Sequence, residues 1–312
     1  TDDIQCLSEN WDAAVRHTAE ECKRLGLRFT MQNCPGWAMS GGPWIKPENA
    51  MRNLVYSRMD VNGKEITTAL PKPQPSNEEW RDYRDITVLA FPTPEGDTGK
   101  PLELKDVKGN GKYAWKDLMT GKKDRINFSP STSDEPNWVA VKFTSPTTVR
   151  SIEIPSIQTL NHAMSFEPNI HLKAYALKAD GSKHIIVNAD FPQNSWQDNH
   201  PITFACPEVE DAVGCRLEFC NRYDMNMGLI KLWSAAHKNS WQSEAAWDLR
   251  SFERTADDVI QSQAAYLNAG QILDISQHMT ADGQLTWNAP SNQAWTILRI
   301  GHVNEGRKNA PA

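Results

Sequence analysis

The sequence predicts an α+β protein that is mainly β, in which an antiparallel β-sandwich is inserted into an α/β scaffold. Seven short alternating segments follow one another between residues 136 and 234 without intervening helices, which is typical of an antiparallel sandwich. Two more strand-like segments, 27–32 and 295–301, flank this stretch, and each ends in a loop containing glycine, asparagine and Trp or His. Insertion of the sandwich after one scaffold strand explains that order.

The first predicted element is an amphipathic helix over residues 11–26. Apolar residues recur at helical spacing with charged residues opposite them, Asn10 is placed to cap the N-terminus, and Gly26 is placed to cap the C-terminus. A short buried strand at 27–32 follows after the turn. Helix, turn and strand together predict one α/β unit.

The loop after that strand, NCPGWAMSGGPW at residues 33–44, is the strongest candidate for a ligand site. Its glycines let the backbone approach a ligand, and its prolines stiffen the loop. Its indole rings can stack on a sugar, and its amide and hydroxyl groups can bind sugar hydroxyls. A tight structural loop closed by buried tryptophans is the alternative. The substrate-binding candidates here are Asn33, Trp37, Ser40, Gly41, Gly42 and Trp44.

A second set of candidates follows the last predicted strand. His302, Asn304 and Asn309 come after the segment 295–301, at the same predicted edge of the scaffold. Because active sites of α/β barrels lie at the carboxyl ends of their strands, we expect these side chains to reach the same cleft. The alternative is that they are ordinary loop residues.

Composition and charge exclude several classes of partner. The net charge is −6 with no run of Lys or Arg, which disfavours nucleic acid and anionic membranes. No segment approaches the ~18 consecutive apolar residues of a membrane span. Twelve tryptophans suit sugar-binding clefts as well as large cores. The N-terminus lacks signal-peptide character, so we expect either a removed signal or a start inside a longer chain.

The six cysteines form no CxxC pair and have no histidine at zinc-ligand spacing. Cys215 and Cys220 lie on opposite faces of one predicted strand, which disfavours a disulfide between them. Free thiols are therefore expected, and no metal or other cofactor site is identified in this chain.

Two segments carry a resemblance to a known family. FTMQNCPGWAMSGGPWIKPENAMRNLVYSRMDVNG, at 29–63, strongly resembles the segment after an early barrel strand of glycoside hydrolase family 106, the α-L-rhamnosidases of gut and soil bacteria. QILDISQHMTADGQLTW at 271–287 and WTILRIGHVNEGRKNAPA at 295–312 resemble the return of that family's chain from an insert to the barrel. The matching segments cover about a third of the sequence and occur in the family's order.

This resemblance implies a large bacterial enzyme, periplasmic or extracellular, with a (β/α)8 barrel and β-sandwich insertions. It would hydrolyse terminal α-L-rhamnosidic bonds of glycans at the carboxyl face of the barrel, with calcium at the active site of the complete enzyme. The chain would be an internal piece whose partners are an oligosaccharide substrate and the remaining barrel segments. Only Glu48 and Glu305 lie in the strand-end loops. No catalytic pair is therefore assigned, and this piece alone is expected to be inactive.

The sandwich has a looser resemblance to galactose-binding-like modules, in WVAVKFTSPTTVRSIEI and HLKAYALKADGSKHIIV. Sugar binding in one loop by Trp196, Asn199 and His200 is one interpretation, and scaffolding is the other. Rival functions are a non-catalytic carbohydrate-binding or scaffold protein and a related glycosidase of different sugar preference. The predicted organisation is a partial barrel segment at 1–60, a loop-rich connection at 61–135, the sandwich at 136–242, and a helix with strands returning to the barrel at 243–312.

Overall fold

The computed structural model describes residues 8–31, 52–73, 83–155, 169–192, 201–239, 241, 259 and 261–304. The chain divides into two compact units. The larger unit comprises residues 58–71 and 88–298, and the smaller unit comprises 1–57, 72–87 and 299–312. The fold is mainly β, as predicted.

Two helices and fourteen strands lie among these residues. They are, in chain order, α1 (Glu9–Leu25), β1 (Arg52–Ala69), β2 (Arg84–Pro92), β3 (Leu104–Gly109), α2 (Trp115–Met119), β4 (Arg125–Phe128), β5 (Asn137–Thr147), β6 (Ser151–Ile154), β7 (Ile170–Leu177), β8 (Lys183–Asp190), β9 (Ile202–Ala205), β10 (Ala212–Asn221), β11 (Met225–Gly228), β12 (Lys231–Trp233), β13 (Leu273–Asp274) and β14 (Gln284–Asn304).

Helix α1 of the smaller unit confirms the first predicted element, with one correction. The N-cap is Ser8, whose hydroxyl oxygen accepts a hydrogen bond from the backbone N–H of Trp11 at 3.3 Å, whereas Asn10 lies inside the helix. Gly26 ends the helix at φ 69°, as predicted. No residue of α1 is buried.

The strand predicted at 27–32 is wrong for the residues that the structure describes. Residues 27–31 have no regular secondary structure and are exposed, including Leu27 at 61% and Met31 at 52%. A strand is stable only when neighbouring strands satisfy its backbone groups, and no ladder includes residues 27–31. Apolar alternation alone therefore did not determine the conformation here.

The larger unit contains the predicted sandwich. A five-stranded antiparallel sheet has the order β3-β5-β10-β7-β8, and a three-stranded sheet has the order β12-β6-β9. Side chains from both sheets share one hydrophobic core. At its centre the Trp115 ring lies 4.5 Å from that of Phe128 and 6.3 Å from that of Phe219. These large aromatic side chains are among the largest that the core buries completely.

Local features of the sandwich agree with the sequence. The dipeptide Asp180-Gly181 between two alternating segments predicts a hairpin turn, and Gly181, between β7 and β8, has φ 86°, a conformation that favours glycine. Cys215 is fully buried and Cys220 is half-buried on the opposite side of β10, and both are free thiols. Cys206 is also free and buried.

A further, four-stranded sheet, separate from the two sheets of the sandwich, has the order β1-β14-β2-β13. In the larger unit it contributes a smaller hydrophobic core, where the rings of Trp287 and Trp295 meet edge to face at 5.1 Å. The segment 61–135, predicted as a loop-rich connection, contains the end of β1 together with β2, β3, α2 and β4. Most residues of β1 are exposed or half-buried, so its apolar period is weak and the sequence does not indicate its length.

Buried Arg150 ties together several loops of the larger unit. It is 5% exposed; its Nε donates to Glu208 at 2.7 Å, and its Nη2 donates to Glu95 at 2.6 Å. Glu208 in turn accepts hydrogen bonds from the backbone N–H and the hydroxyl of Ser262. These bonds lower the pKa of Glu208 even though its burial acts in the opposite direction.

The remaining local predictions fall mostly outside the described residues. Pro47 followed by Glu48, Asn49 and Ala50 predicts the start of a short helix, and these residues lie outside the described ones. The sequence 243–269 predicts helix, and its described part contains short 3-10 turns at Gln263–Ala265 and Ala269–Gln271.

Candidate functional site

The smaller unit collects polar side chains at the ends of its strand segments. We define the strand-end cluster as Arg52 at the start of β1, Tyr83 and Asp85 at the start of β2, and Arg299, His302 and Asn304 near the end of β14. Arg299 is 5% exposed and Asn304 is 2% exposed, so both polar groups are buried. Buried polar groups need hydrogen-bond partners, and the partners of these two residues and their neighbours determine the geometry of the cluster.

Asp85 and Arg299 form the central ion pair of the strand-end cluster. The Nε and Nη2 atoms of Arg299 donate to the two carboxylate oxygens of Asp85, each at 2.8 Å. This bidentate arrangement fixes the plane of both groups. Tyr83 donates its hydroxyl to the same carboxylate at 2.6 Å. Asp85 is therefore held as an acceptor from two directions.

These contacts set the protonation states of the cluster. The hydrogen bonds from Arg299 are the main cause that lowers the pKa of Asp85, against an opposing effect of burial. Burial and the neighbouring Asp85 carboxylate raise the pKa of Tyr83 well above its ordinary value. At neutral pH the cluster thus holds a charged carboxylate and a protonated phenol, so Asp85 is unsuited to act as a general acid.

Gly301 lets the Tyr83 ring lie directly against β14. A Cβ atom at this position would lie 2.4 Å from Cε2 of Tyr83 and 2.5 Å from the backbone oxygen of Arg84. Neither approach is tolerable for a side chain. The glycine in the sequence RIGHV is therefore required by packing between the tyrosine and the strand.

His302 is held by Arg52. The Arg52 Nε donates to His302 Nδ1, and its Nη2 donates to the His302 backbone oxygen at 3.4 Å. A guanidinium can only donate, so Nδ1 accepts and the proton of a neutral ring lies on Nε2. His302 is half-buried, which leaves it able to present an Nε2–H donor to a hydroxyl group.

The structure describes two of the nine predicted site residues. His302 and Asn304 both belong to the strand-end cluster, although they lie within β14 rather than in the loop after it. The other predicted site residues lie outside the described residues: Asn33, Trp37, Ser40, Gly41, Gly42, Trp44 and Asn309. The sandwich candidates Trp196, Asn199 and His200 also lie outside them.

Sequence reasoning missed Arg52, Tyr83, Asp85 and Arg299. A usable signal existed for Arg299, because it interrupts the apolar run of WTILRIGHV, and a charged residue inside a predicted strand needs a buried partner. Residues 86–91 have the apolar composition of a strand, and the Asp85 carboxylate directly precedes them, so it was a candidate partner for Arg299. Tyr83 and Arg52 carry no comparable local signal.

A metal site is not formed by the described residues. No group of three or more His, Cys, Asp or Glu side chains among them is arranged to hold an ion. The calcium implied by the family resemblance therefore has no ligand set in the described part of this chain, and no step is derived through it.

The strand-end cluster comprises two hydrogen-bonded groups, Tyr83–Asp85–Arg299 and Arg52–His302, and Arg299 and His302 lie three residues apart on β14, so their side chains point to opposite faces of the strand. His302 carries an Nε2 that is not used by Arg52, the Asp85 carboxylate is fixed by Arg299, and the Arg299 and Asn304 side chains are buried. On the described strand segments of the smaller unit, Asp85 is the one carboxylate. Glycoside hydrolysis normally uses two carboxyl groups. Among the described residues, the strand-end cluster therefore contains no pair of carboxylates that could act as acid and base.

A mainly β chain with a sandwich and this cluster is consistent with a glycoside hydrolase, and the comparisons with known proteins agree. The family model described as alpha-L-rhamnosidase, glycoside hydrolase family 106, matches residues 1–312. The chain therefore belongs to glycoside hydrolase family 106.

Two individual relatives add detail. The solved structure of a rhamnosidase from Novosphingobium sp. PP1Y superposes with a TM-score of 0.63 at 21% identity, covering 99% of this chain and 29% of that one. A protein of Formosa agariphila, provisionally described as a beta-glucuronidase, is 46% identical over 109 residues, or 34% of this chain and 9% of its own length. The first similarity shows a shared fold. The chain spans less than a third of either relative.

The described helices give no indication of a membrane span, since none of them is long and apolar enough to cross a bilayer.

Proposed function

We propose that this chain is part of an α-L-rhamnosidase that hydrolyses terminal α-L-rhamnosidic bonds in glycans. The observation that carries the proposal is the match of the family model to residues 1–312. The rhamnosidase fold shared with the Novosphingobium enzyme supports it. The experiment below tests which sugar the enzyme accepts.

We also propose that the smaller unit is part of a (β/α)8 barrel completed by segments outside this chain. Helix α1 is amphipathic yet has no buried residue, and apolar side chains after it are exposed. Exposed apolar surface of this kind normally has a partner. The exposed side chains concerned are Leu25, Leu27, Phe29 and Met31.

In this proposal the strand-end cluster binds the substrate and the catalytic carboxylates lie elsewhere in the complete enzyme. His302 donates from Nε2 to a sugar hydroxyl, because Arg52 holds its Nδ1 as an acceptor. Asp85 balances the positive charge of Arg299 as its ion-pair partner and does not supply the proton to the leaving group. This chain alone is then inactive, as the sequence predicts.

The wider proposal keeps the predicted organisation and compartment. The segments 1–60 and 243–312 belong to the barrel, 61–135 connects them to the insert, and 136–242 is the insert. The complete enzyme works in the periplasm or outside the cell, with calcium held by residues beyond those described here.

The test uses the full-length protein with two chromogenic substrates, an aryl α-L-rhamnoside and an aryl β-D-glucuronide. The second is included because the Formosa agariphila relative is described as a glucuronidase. We expect hydrolysis of the rhamnoside. Preference for the glucuronide would replace the proposed substrate, and hydrolysis of neither would favour the non-catalytic binding or scaffold protein.

The role of His302 is tested by His302→Ala in the same protein. Loss of one hydrogen bond to substrate is expected to lower kcat/KM about tenfold. His278→Ala removes an exposed histidine of the larger unit and is the matched control, expected to leave kcat/KM unchanged. Equal kinetics for the two variants would remove His302 from the site.

A further inference from the structure

The outer surface of the five-stranded sheet carries charged and aromatic side chains. Along β5 and β10, Val139 and Leu217 point into the core and are 0% exposed, whereas the intervening residues point away from it. We call this surface the outer face. Its members are Lys108, Trp138, Lys142, Lys173, Tyr175, Arg216 and Glu218, together with the small residue Ala140.

Strand register arranges these residues in rows across the sheet. Ala140 on β5 is paired with Lys108 on one side and with Arg216 on the other, and Arg216 is paired with Tyr175 on β7. In the next row Glu218 is paired with Trp138 and with Lys173. Lys108 and Arg216 are two strand spacings apart, about 10 Å, with only a methyl group between them. The middle of the outer face is therefore a shallow trough between cationic side chains.

Arg216 is held in place at the centre of the outer face. Its guanidinium carbon lies 4.1 Å from the centroid of the Trp138 ring, and its Nε donates to Glu218 at 2.6 Å. Within the described part of the chain, its Nη1 and Nη2 groups have no hydrogen-bond or ion-pair partner. A guanidinium oriented in this way, with its terminal donors free, matches a planar carboxylate or a sulfate group.

The charge of the outer face is opposite to that of the whole chain. Lys108, Lys142 and Lys173 have no ion-pair partner among the described residues, and Arg216 adds a fourth cation. The carboxylates near these cations are fewer: Glu218 accepts from Arg216, Asp190 pairs with His171 at 2.7 Å, and Asp106 accepts from the backbone N–H of Val107. The chain as a whole carries −6, so the cationic character is local.

We propose that the outer face is a binding site for an acidic oligosaccharide, one bearing uronate carboxylates or sulfate groups. The cations supply the charge complementarity, and the Trp138 and Tyr175 rings hold two of them, Arg216 and Lys173, on the face through cation–π contacts. The proposal deepens the proposed function, on which it rests, since it names the chemistry of the glycan that a site other than the strand-end cluster recognises.

The experiment measures binding of defined probes to the full-length protein by isothermal titration calorimetry at low and physiological salt. The probes are trigalacturonate, a sulfated trisaccharide, neutral maltotriose and a short single-stranded oligonucleotide. We expect one or both acidic saccharides to bind, more weakly at higher salt, and the acidic class that binds better identifies the anion. Equal binding of maltotriose or of the oligonucleotide, or no binding of either acidic saccharide, overturns the proposal.

Variants locate the site. Arg216→Gln and Lys173→Gln are each expected to weaken binding of the acidic saccharide about tenfold, because each removes a charged donor. Lys122→Gln removes the same charge from an exposed turn of the same unit and is expected to bind like the unchanged protein. Thermal unfolding of all three variants checks that the fold is intact. Arg216→Gln that unfolds normally and binds normally would place the acidic ligand elsewhere.

Failure of this inference is distinguishable from failure of the proposed function. Hydrolysis of the aryl rhamnoside without binding of acidic saccharides leaves the enzyme proposal standing and removes the site on the outer face. If the protein hydrolyses no rhamnoside but binds acidic saccharides in a way that depends on Arg216, the proposed enzyme activity is wrong and the site on the outer face remains.

Discussion

The sandwich and the smaller unit stabilise themselves in different ways. The sandwich buries large apolar side chains completely, and the Trp115, Phe128 and Phe219 rings contact one another at its centre. In the smaller unit, buried polar groups such as Arg299 and Asn304 lie beside Val303, while helix α1 has no buried residue. The sandwich thus derives its stability from its own core, whereas the smaller unit concentrates hydrogen-bonded polar groups at its strand ends.

The largest expected effect comes from breaking the core of the sandwich. Trp115→Ala removes a side chain that is 2% exposed and should lower the free energy of unfolding by about 3–5 kcal/mol. Urea denaturation of the variant measures this. Ile185→Ala, at an exposed position of the same sandwich, is the control and should stay within about 0.5 kcal/mol. Similar losses in both variants would contradict a core centred on Trp115.

A smaller effect is expected from Asp85→Asn in the strand-end cluster. The change leaves the buried guanidinium of Arg299 without its carboxylate. Complete burial of the pair would make the loss about 3–5 kcal/mol, but the Asp85 side chain is 37% exposed, so we expect about 2 kcal/mol. Chemical denaturation checks the value, and a neutral result would mean that Arg299 finds another acceptor.

The pH dependence of stability tests both regions, because the larger unit and the smaller unit each contain a carboxylate whose pKa is lowered. Glu208 beside Arg150 and Asp85 beside Arg299 stabilise the fold above their unfolded-state pKa values of about 4. Since the folded pKa is the lower one, this stabilisation is lost as the pH falls through it.

Urea midpoints measured between pH 7 and pH 3 test this sign. Glu208→Gln should cost about 1–3 kcal/mol at pH 7 and should show a smaller loss of stability on acidification than the unchanged protein. Midpoints that fall equally steeply in both proteins would remove Glu208 from the acid response.

The smallest effect is expected at the end of α1. Gly26→Ala places a Cβ at φ 69°, which should cost about 1 kcal/mol even though nothing lies within 4 Å of the new atom. Gly111→Ala is the control, because Gly111 also has open space but lacks a positive φ. Helix content and melting temperature of the two variants report the difference, and equal values would mean that the cap contributes nothing.

The sequence predicted the sandwich well because its strands alternate. In β7 every second residue from Ile170 to Ala176 is buried, so the period of two is visible directly. It predicted β1 poorly because that strand is mostly half-exposed and interrupted by charged residues. The error at 27–31 is the reverse: the sequence predicted a strand there, but its apolar residues are exposed and are not paired in a sheet.

The residues of the candidate site also fall into those that the sequence could predict and those that it could not. His302 and Asn304 could be predicted because they follow a strong apolar strand in the sequence. Asp85 and Arg299 could not be paired beforehand, since 214 positions separate them and only the fold brings the two charges together. The signature loop at 33–44 lies outside the described residues, so its candidates remain predictions.

The buried cysteines make the sandwich report on its own opening. Burial raises the pKa of the Cys215 thiol to about 12 and that of Cys206 well above its usual range, so neither is a thiolate at neutral pH in the closed state. An alkylating reagent can reach them only when the sandwich opens. The rate at which Cys206 and Cys215 are alkylated, compared with the rate for half-buried Cys22 on α1, therefore measures how often the core opens. No engineered probe is needed.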